Sequence, residues 1–536
     1  MDDDHRPCLE HPPVPDLAEG DRLAGLESTF HGGKRTVRSR ARDVELPVTT
    51  TIDREPTERR EGSGDHTDRE RAWARGLVIA IGVVYLLIHV VYMPRDWPTG
   101  WDEAVYLSQV TPGMDGLFFN AWHARGITLI VAPVTSLGGS VADVRLFLMV
   151  LSAIAVTGTF WLWIRLVGMA AGVAAFVFSF SWQGQVLASE IKPNYWGAIL
   201  GLAATALVAR RLEGGRTVHL VLASVLLAAT ALVRPTEATV LAGAIGIYIL
   251  VFRRRSWRDL FLLGVGLLIG WLPWVLEMSA RFGGLRGAFR EAGKGQHFVV
   301  VPIAENVLRH LAYTDGKSAP SEIPGAIWWG VLVVMAAVGI ARGVTRTDRA
   351  AALLCSLGAL ALAAEYLFFV PALAPRFLLP AYAMSSVPFG IGLMSLLRGK
   401  IAPRVLGALV LALMIPWTVW QGTVTAQRAQ GVNRGSALPL RVGAAIRRLA
   451  DGRPCFVLGQ RKYPEIAYTA RCSGAKGENQ LPSDEQLKNL ASGGRVVFIV
   501  RIVEAPAKSL LSSVEPVRFP AGKKDWLVYQ LPGSLG

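Results

Sequence analysis

The sequence predicts a polytopic α-helical membrane protein of about eleven transmembrane helices, with a small α/β domain at its C-terminal end. Three observations carry that expectation. Hydrophobic residues make up 51% of the 536 and charged residues only 18%, and the mean hydropathy is +0.36, a balance too apolar for an ordinary soluble protein. The apolar residues gather in runs long enough to cross a bilayer. Alternate connections between those runs are rich in Arg and Lys, as cytoplasmic loops are. The formal charge of +15 is itself uneven: residues 1–70 hold 11 basic and 17 acidic groups, a net of −6, so the remainder carries +21. A basic excess confined to short loops reports membrane topology and gives no support to a nucleic-acid partner.

Residues 1–70 are rich in charged, Pro, Gly, Ser and Thr residues with scarcely any apolar periodicity, and read as a disordered cytoplasmic tail. A basic start followed directly by an apolar stretch is missing, so no signal peptide is expected. The run from Leu77 to Met93 is then an uncleaved first span, and Arg59, Arg60, Arg69, Arg71 and Arg75 before it favour a cytoplasmic N-terminus. Further spans are expected near Leu146–Ile164, Val167–Val186, Tyr195–Val208, Val218–Val233, Ala238–Phe252, Leu260–Met278, Ile327–Ala341, Ala350–Val370, Phe377–Leu397 and Val405–Trp420, completing a membrane domain over residues 71–425. The charges check the count. Arg210, Arg211 and Arg216, then Arg253, Arg254, Arg255 and Arg258, then Arg342, Arg346 and Arg349, then Arg398, Lys400 and Arg404 all fall on one side. Merging the two short runs around Arg234-Pro235-Thr236-Glu237 would split those clusters between faces, so the runs stay separate.

The other side carries the longer loops. Residues 94–140 contain Pro98-Thr99-Gly100-Trp101-Asp102-Glu103-Ala104-Val105-Tyr106, a pair of adjacent carboxylates just past the first span. Asp after a Pro-Gly turn also makes a good helix cap, and Glu suits the first turn of a helix. The stretch Phe118–Gly126 with the apolar residues up to Pro133 is too short to span and reads as an interfacial helix. Residues 183–194 hold Glu190 and Lys192, and Arg145 lies near the outer end of the second span, where an uncompensated charge calls for an acidic partner. Residues 279–323 read as a long mobile loop with Arg281, Arg286, Arg290, Lys294, His297 and Lys317.

From residue 430 to 536 the pattern changes. Short apolar runs at Cys455–Gly459, Arg495–Arg501 and Trp526–Leu531 suit buried strands, and Leu440–Leu449 and Asp484–Ala491 have helical spacing, which together give an extracytoplasmic α/β domain. Cys455 and Cys472 lie in it, either bridged or as two buried thiols; Cys8 falls in the tail and Cys355 within a span, with no metal spacing among them.

No P-loop, dinucleotide fingerprint, Gly-x-Ser-x-Gly elbow or His-Glu-x-x-His is present. A carboxylate pair at a membrane face together with scattered cations suits transfer from a lipid-phosphate donor: one carboxylate accepts a hydroxyl proton and the cations neutralise the departing phosphate. A first span, the Trp101-Asp102-Glu103-Ala104-Val105-Tyr106 string, an interfacial helix, many spans, Ala374-Pro375-Arg376-Phe377-Leu378-Leu379-Pro380 late in the bundle and a terminal outer domain resemble the GT-C glycosyltransferases. They are most similar to the branch of the protein O-mannosyltransferases and lipid A aminoarabinose transferases. The resemblance covers roughly residues 75–425. It implies an enzyme, a hexosyl- or pentosyltransferase in the cell membrane, with a polyprenyl-phosphate sugar donor, a protein, lipid or polysaccharide acceptor hydroxyl, and inversion at the anomeric carbon.

On that resemblance Asp102 and Glu103 are the catalytic candidates, and Arg376, Lys192 and Arg125 the candidates for the donor phosphate. Glu190, His123, Arg234 and Tyr106 complete the candidate set; His123 stands where family members have a His-Pro-Pro string, without the prolines. No cofactor is expected, although a single divalent ion on Asp102 and Glu190 is conceivable. Two alternatives stay open: a secondary transporter or lipid flippase, and a non-catalytic assembly protein. The clustering of the polar residues at one face and the absence of a repeat favour the transferase.

Overall fold

The computed structural model describes residues 67–253, 256–293, 322–370, 374–459, 462–476, 483–492, 494–502, 510–520 and 525–531. The expected N-terminal tail therefore lies outside the described residues up to position 66. Its last few residues open the first helix, α1 (Asp68–Tyr92), which begins nine residues before the apolar run because the Thr67 hydroxyl accepts from the Glu70 N–H and caps it.

All eleven expected spans fall on helices. After α1 come α2 (Trp101–Ser108), α3 (Gly126–Ser136), α4 (Val141–Val167), α5 (Ala170–Ser179), α6 (Trp182–Ser189), α7 (Pro193–Leu212), α8 (Thr217–Val233), α9 (Pro235–Phe252), α10 (Trp257–Phe282), α11 (Leu285–Gly293), α12 (Glu322–Arg342) and α13 (Arg346–Phe369). A 3-10 turn (Pro375–Leu378) then leads into α14 (Leu379–Leu397) and α15 (Ile401–Ala450). Among the described residues eight helices are long and apolar enough to cross a membrane unaided. The third expected span is broken: α5 and α6 meet at 65°, because Phe180 leaves the helix and the Ser181 hydroxyl accepts from the Gly184 N–H to start a new one. The runs around Arg234-Pro235 are separate helices, with Pro235 opening α9 where its missing N–H costs nothing.

The chain is a multi-pass membrane protein whose outer helices present apolar side chains outward, among them Leu87, Val91, Ile154, Leu268 and Leu413. The centre is α7 and α14, each buried along most of its length. Close crossings use small residues: on α10 a Cβ at Gly266 or Gly270 would come within 2.4 and 2.2 Å of backbone oxygens of α8.

Two expectations are corrected. Residues 279–293 are helical, since α10 continues to Phe282 and α11 follows after the left-handed Gly283 and Gly284; Lys294, His297 and Lys317 lie outside the described residues. The segment Leu440–Leu449 is no separate helix: it is the C-terminal end of α15, 50 residues or about 75 Å long, and the expected domain boundary between 425 and 430 falls within it. The far end of α15 places Val442 and Ile446 in the core of the terminal domain.

That domain holds a five-stranded sheet of β1 (Cys455–Gly459), β2 (Ser473–Lys476), β3 (Val496–Arg501), β4 (Val517–Phe519) and β5 (Trp526–Gln530), in the order β2-β1-β3-β5-β4. The β1 strand pairs parallel with β2 and β3, while β5 pairs antiparallel with β3 and β4. The crossovers are α16 (Tyr463–Ala470) and α17 (Asp484–Ser492). Both faces are covered, so β3 reads as an unbroken apolar run. Cys455 and Cys472 are disulfide-bonded. Short β2 and β4 and helix α16 escaped the sequence reading because none has a run of apolar residues long enough to show a period.

Candidate active site

The two adjacent carboxylates open α2 and point different ways. Glu103 turns inward and is 2% exposed. Its Oε2 accepts from the Gly100 N–H at 2.7 Å, its Oε1 from the Ile191 N–H at 3.0 Å, and the Arg145 guanidinium donates to both oxygens at 3.1 and 3.3 Å. Arg145, itself fully buried, also donates to the Trp97 carbonyl at 2.5 Å and stacks on the Trp97 ring. A single carboxylate thus ties the start of α2 to α4 and to the loop between α6 and α7. Burial alone would raise the Glu103 pKa, but the charges of Arg145 and Lys192 and the two backbone donors outweigh it and hold the group below the ordinary glutamate value. Its lone pairs are taken and its charge is matched.

Asp102 faces outward, with a third of its side chain exposed. Its Oδ2 lies 3.4 Å from an Arg376 nitrogen and its Oδ1 lies 3.9 Å from His123 Nε2. Arg376 comes from the 3-10 turn before α14, some 270 residues later in the chain. His123 is oriented by Asn120: its Nδ1 and the Trp122 N–H both point at the Asn120 Oδ1, at 2.5 and 3.0 Å, which makes that atom the carbonyl oxygen and places the proton on Nδ1. Desolvation pushes the Asp102 pKa up, yet His123, Arg376 and Lys192 together hold it well below the usual aspartate value. Beneath them Tyr106 packs its ring against Phe119 and His123, and burial and the Asp102 charge keep its hydroxyl protonated.

Lys192 donates to Glu190 at 2.8 Å, and its charge still reaches both Asp102 and Glu103. Arg234, at the α8–α9 junction, donates to Glu237 at 2.8 Å and to the Tyr366 hydroxyl; Tyr366 stacks on Phe377, the neighbour of Arg376. Arg125 is turned elsewhere: it forks onto Glu277 of α10 at 2.5 and 2.8 Å and covers the Phe119 ring, pinning the interfacial segment to the bundle. The fold therefore gathers Asp102, His123, Tyr106, Arg376 and Lys192 and leaves Arg125 as a strut to their side.

The sequence reading missed the contribution of the terminal domain. Helix α16 lies over α2, with the Tyr463 ring edge-on to Trp101 at 5.2 Å and the Tyr468 hydroxyl 3.4 Å from Thr111. Glu465 is buried, one of its oxygens has no hydrogen-bond partner, and burial raises its pKa against the pull of Lys462. No local pattern flags these residues. Among the described residues no three His, Cys, Asp or Glu side chains stand close enough to share a metal ion, and Glu190 is ion-paired with Lys192 at 2.8 Å.

The fold is shared with known structures. The crystal structure of ArnT from Cupriavidus metallidurans bound to undecaprenyl phosphate superposes with a TM-score of 0.61 at 15% identity, over 85% of this chain and 98% of that one. The fold is that of the GT-C glycosyltransferases. The Archaeoglobus fulgidus oligosaccharyltransferase tethered with an acceptor peptide superposes with a TM-score of 0.51 at 13% identity, over 80% of this chain and 69% of that one. No protein-family model matches the sequence, and no curated protein matches it.

Proposed function

We propose that this chain is a membrane glycosyltransferase that moves a sugar from a polyprenyl-phosphate donor to a hydroxyl acceptor outside the cytoplasm, inverting the anomeric carbon. The observation that carries the reading is the ion pair of an accessible Asp102 with Arg376, with the Lys192 charge within electrostatic reach, groups from three distant parts of the chain. The GT-C fold, and a structural neighbour that binds undecaprenyl phosphate, support the donor class. The Arg-rich loops at the opposite ends of the spans support a cytoplasmic N-terminus and an outer C-terminal domain.

In this scheme Asp102 takes the proton of the acceptor hydroxyl while that oxygen bonds to the anomeric carbon. The bond from that carbon to the phosphate oxygen breaks, and its electron pair leaves with the polyprenyl phosphate, neutralised by Arg376 and Lys192. Donor binding also tunes the base. Once Arg376 turns to the phosphate, Asp102 loses one of the cations that hold its pKa down and becomes a better proton acceptor. Glu103 holds α2 in place, Arg125 holds the interfacial segment, and Tyr106 and His123 shape the floor.

The test is transfer by the purified protein against a panel of polyprenyl-phosphate sugars. Asp102→Asn is expected to fold, to bind donor and to lose transfer by about 10²–10⁴-fold. Wild-type-like turnover in a folded Asp102→Asn variant removes Asp102 from the chemistry. Donor movement across vesicles without any sugar transfer supports a flippase instead.

A further inference from the structure

A second polar recess lies at the other end of the bundle. Arg145 and Arg165 are both on α4, twenty residues or about 30 Å apart, so the recess is a bilayer's thickness from Asp102. It has a volume of about 190 Å3 and sits between the ends of α4 and α7 and the starts of α8 and α13, lined by Arg165, Arg210, Glu213, His219, Thr345 and Thr347.

Its charges do not cancel. The one carboxylate in the wall, Glu213, is already engaged: one oxygen accepts from Arg253 and the other from the Thr347 hydroxyl at 2.9 Å. Arg210 donates to the carbonyls of Leu162 at 2.7 Å and Trp161 at 3.3 Å, contacts that orient the guanidinium without neutralising it. Arg165 pairs with no carboxylate among the described residues and stands near enough to Arg210 for the two charges to repel. The His219 Nδ1 lies 3.2 Å from the Arg216 carbonyl, and the residue lines the recess. Arg side chains at a membrane boundary commonly extend to head groups singly; here two of them and a histidine converge on one concave, polar space.

We propose that this recess binds a phosphate-bearing anion, supplied by the headgroup of an acidic phospholipid or by a soluble phosphate. Guanidinium groups match phosphate oxygens in a fork, and basic pockets between membrane helices suit anionic head groups. An occupant joins the inner ends of α4 and α7, whose outer ends carry Arg145 and follow Lys192. The proposal does not depend on the glycosyltransferase reading.

The test is binding to the purified full-length protein in neutral detergent, read by native mass spectrometry and by the shift in melting temperature. The probes are phosphatidylglycerol, phosphatidylcholine and inorganic phosphate. Wild type is expected to prefer phosphatidylglycerol over phosphatidylcholine. Arg165→Gln, a change at an exposed residue, is expected to keep the unliganded melting temperature and to bind phosphatidylglycerol about fivefold more weakly, and Arg165→Gln with Arg210→Gln about 25-fold. Arg210→Lys keeps the charge, should the double variant fail to fold, and is expected to fall between. Displacement of the lipid by inorganic phosphate assigns the site to soluble phosphate; lipid binding that phosphate does not displace assigns it to the membrane. Equal binding of both lipids with no binding of phosphate, or wild-type affinity in Arg165→Gln, overturns the proposal.

Discussion

Breaking the Glu103–Arg145 pair separates the two roles assigned to the adjacent carboxylates. In Arg145→Met the Glu103 carboxylate keeps two backbone donors but loses both contacts from the guanidinium, at 3.1 and 3.3 Å, and the Trp97 carbonyl loses its 2.5 Å donor. Both partners are almost completely buried, so a lone charge is left where water does not reach. Such losses cost about 3–5 kcal/mol, a large share of the roughly 5–15 kcal/mol that holds a typical protein folded. Glu103→Gln strands Arg145 in the same way, at similar cost. The double variant Glu103→Gln/Arg145→Met removes both charges, and is expected to recover about 2–3 kcal/mol of the summed penalties. Denaturant titration of the four proteins in one detergent reads the coupling. Transfer measured on folded protein at low temperature then divides the roles: Glu103→Gln is expected to retain activity within about tenfold, whereas Asp102→Asn falls by about 10²–10⁴-fold. A cost for Arg145→Met within about 0.5 kcal/mol, as for an ordinary surface change, refutes the buried pair as a brace. A folded, inactive Glu103→Gln beside an active Asp102→Asn exchanges the roles.

The pKa directions predict how activity and stability respond to acid. Asp102 is held below the ordinary aspartate value of about 3.9, so the acid limb of kcat/KM lies below that pH; Arg376→Gln removes a cation that favours the carboxylate and moves the limb upward, which a pH–rate profile checks. Glu103, whose folded pKa is depressed, contributes its full stability above about pH 4.3 and loses it as pH falls through the lower folded value; acid unfolding curves of wild type and the double variant are expected to differ in that window. Reducing the Cys455–Cys472 bond, which closes a short loop of 17 residues, is expected to cost the terminal domain about 3 kcal/mol, read as faster proteolysis within residues 455–531 while the membrane helices stay intact.

That the apolar runs form helices was legible in the sequence because burial in lipid demands long apolar runs, and no tertiary contact can relax that demand; of the eleven expected spans, eight are long and apolar enough among the described residues to cross unaided. The break at Ser181 and the 50-residue α15 were less so. A polar cap in mid-run and a helix leaving the membrane both keep local helical spacing, so composition alone does not mark where the axis turns or where one domain ends. Arg145 was visible as a charge at the end of an apolar run and its need of an acidic partner could be stated, but the identity of that partner depends on how α2 docks against α4.

By itself the sequence determined a multi-pass helical bundle with an α/β appendage and a pair of carboxylates just past its first span, because chain-local hydropathy and spacing control those features. Only the tertiary structure decided that Glu103 is a buried brace and Asp102 the accessible carboxylate, that Arg376 and not Arg125 stands beside it, and that α16 of the terminal domain covers α2. Two neighbouring residues with the same charge are equivalent along the chain. Their difference arises from which one meets water and which meets Arg145, and that is fixed by packing between helices far apart in sequence.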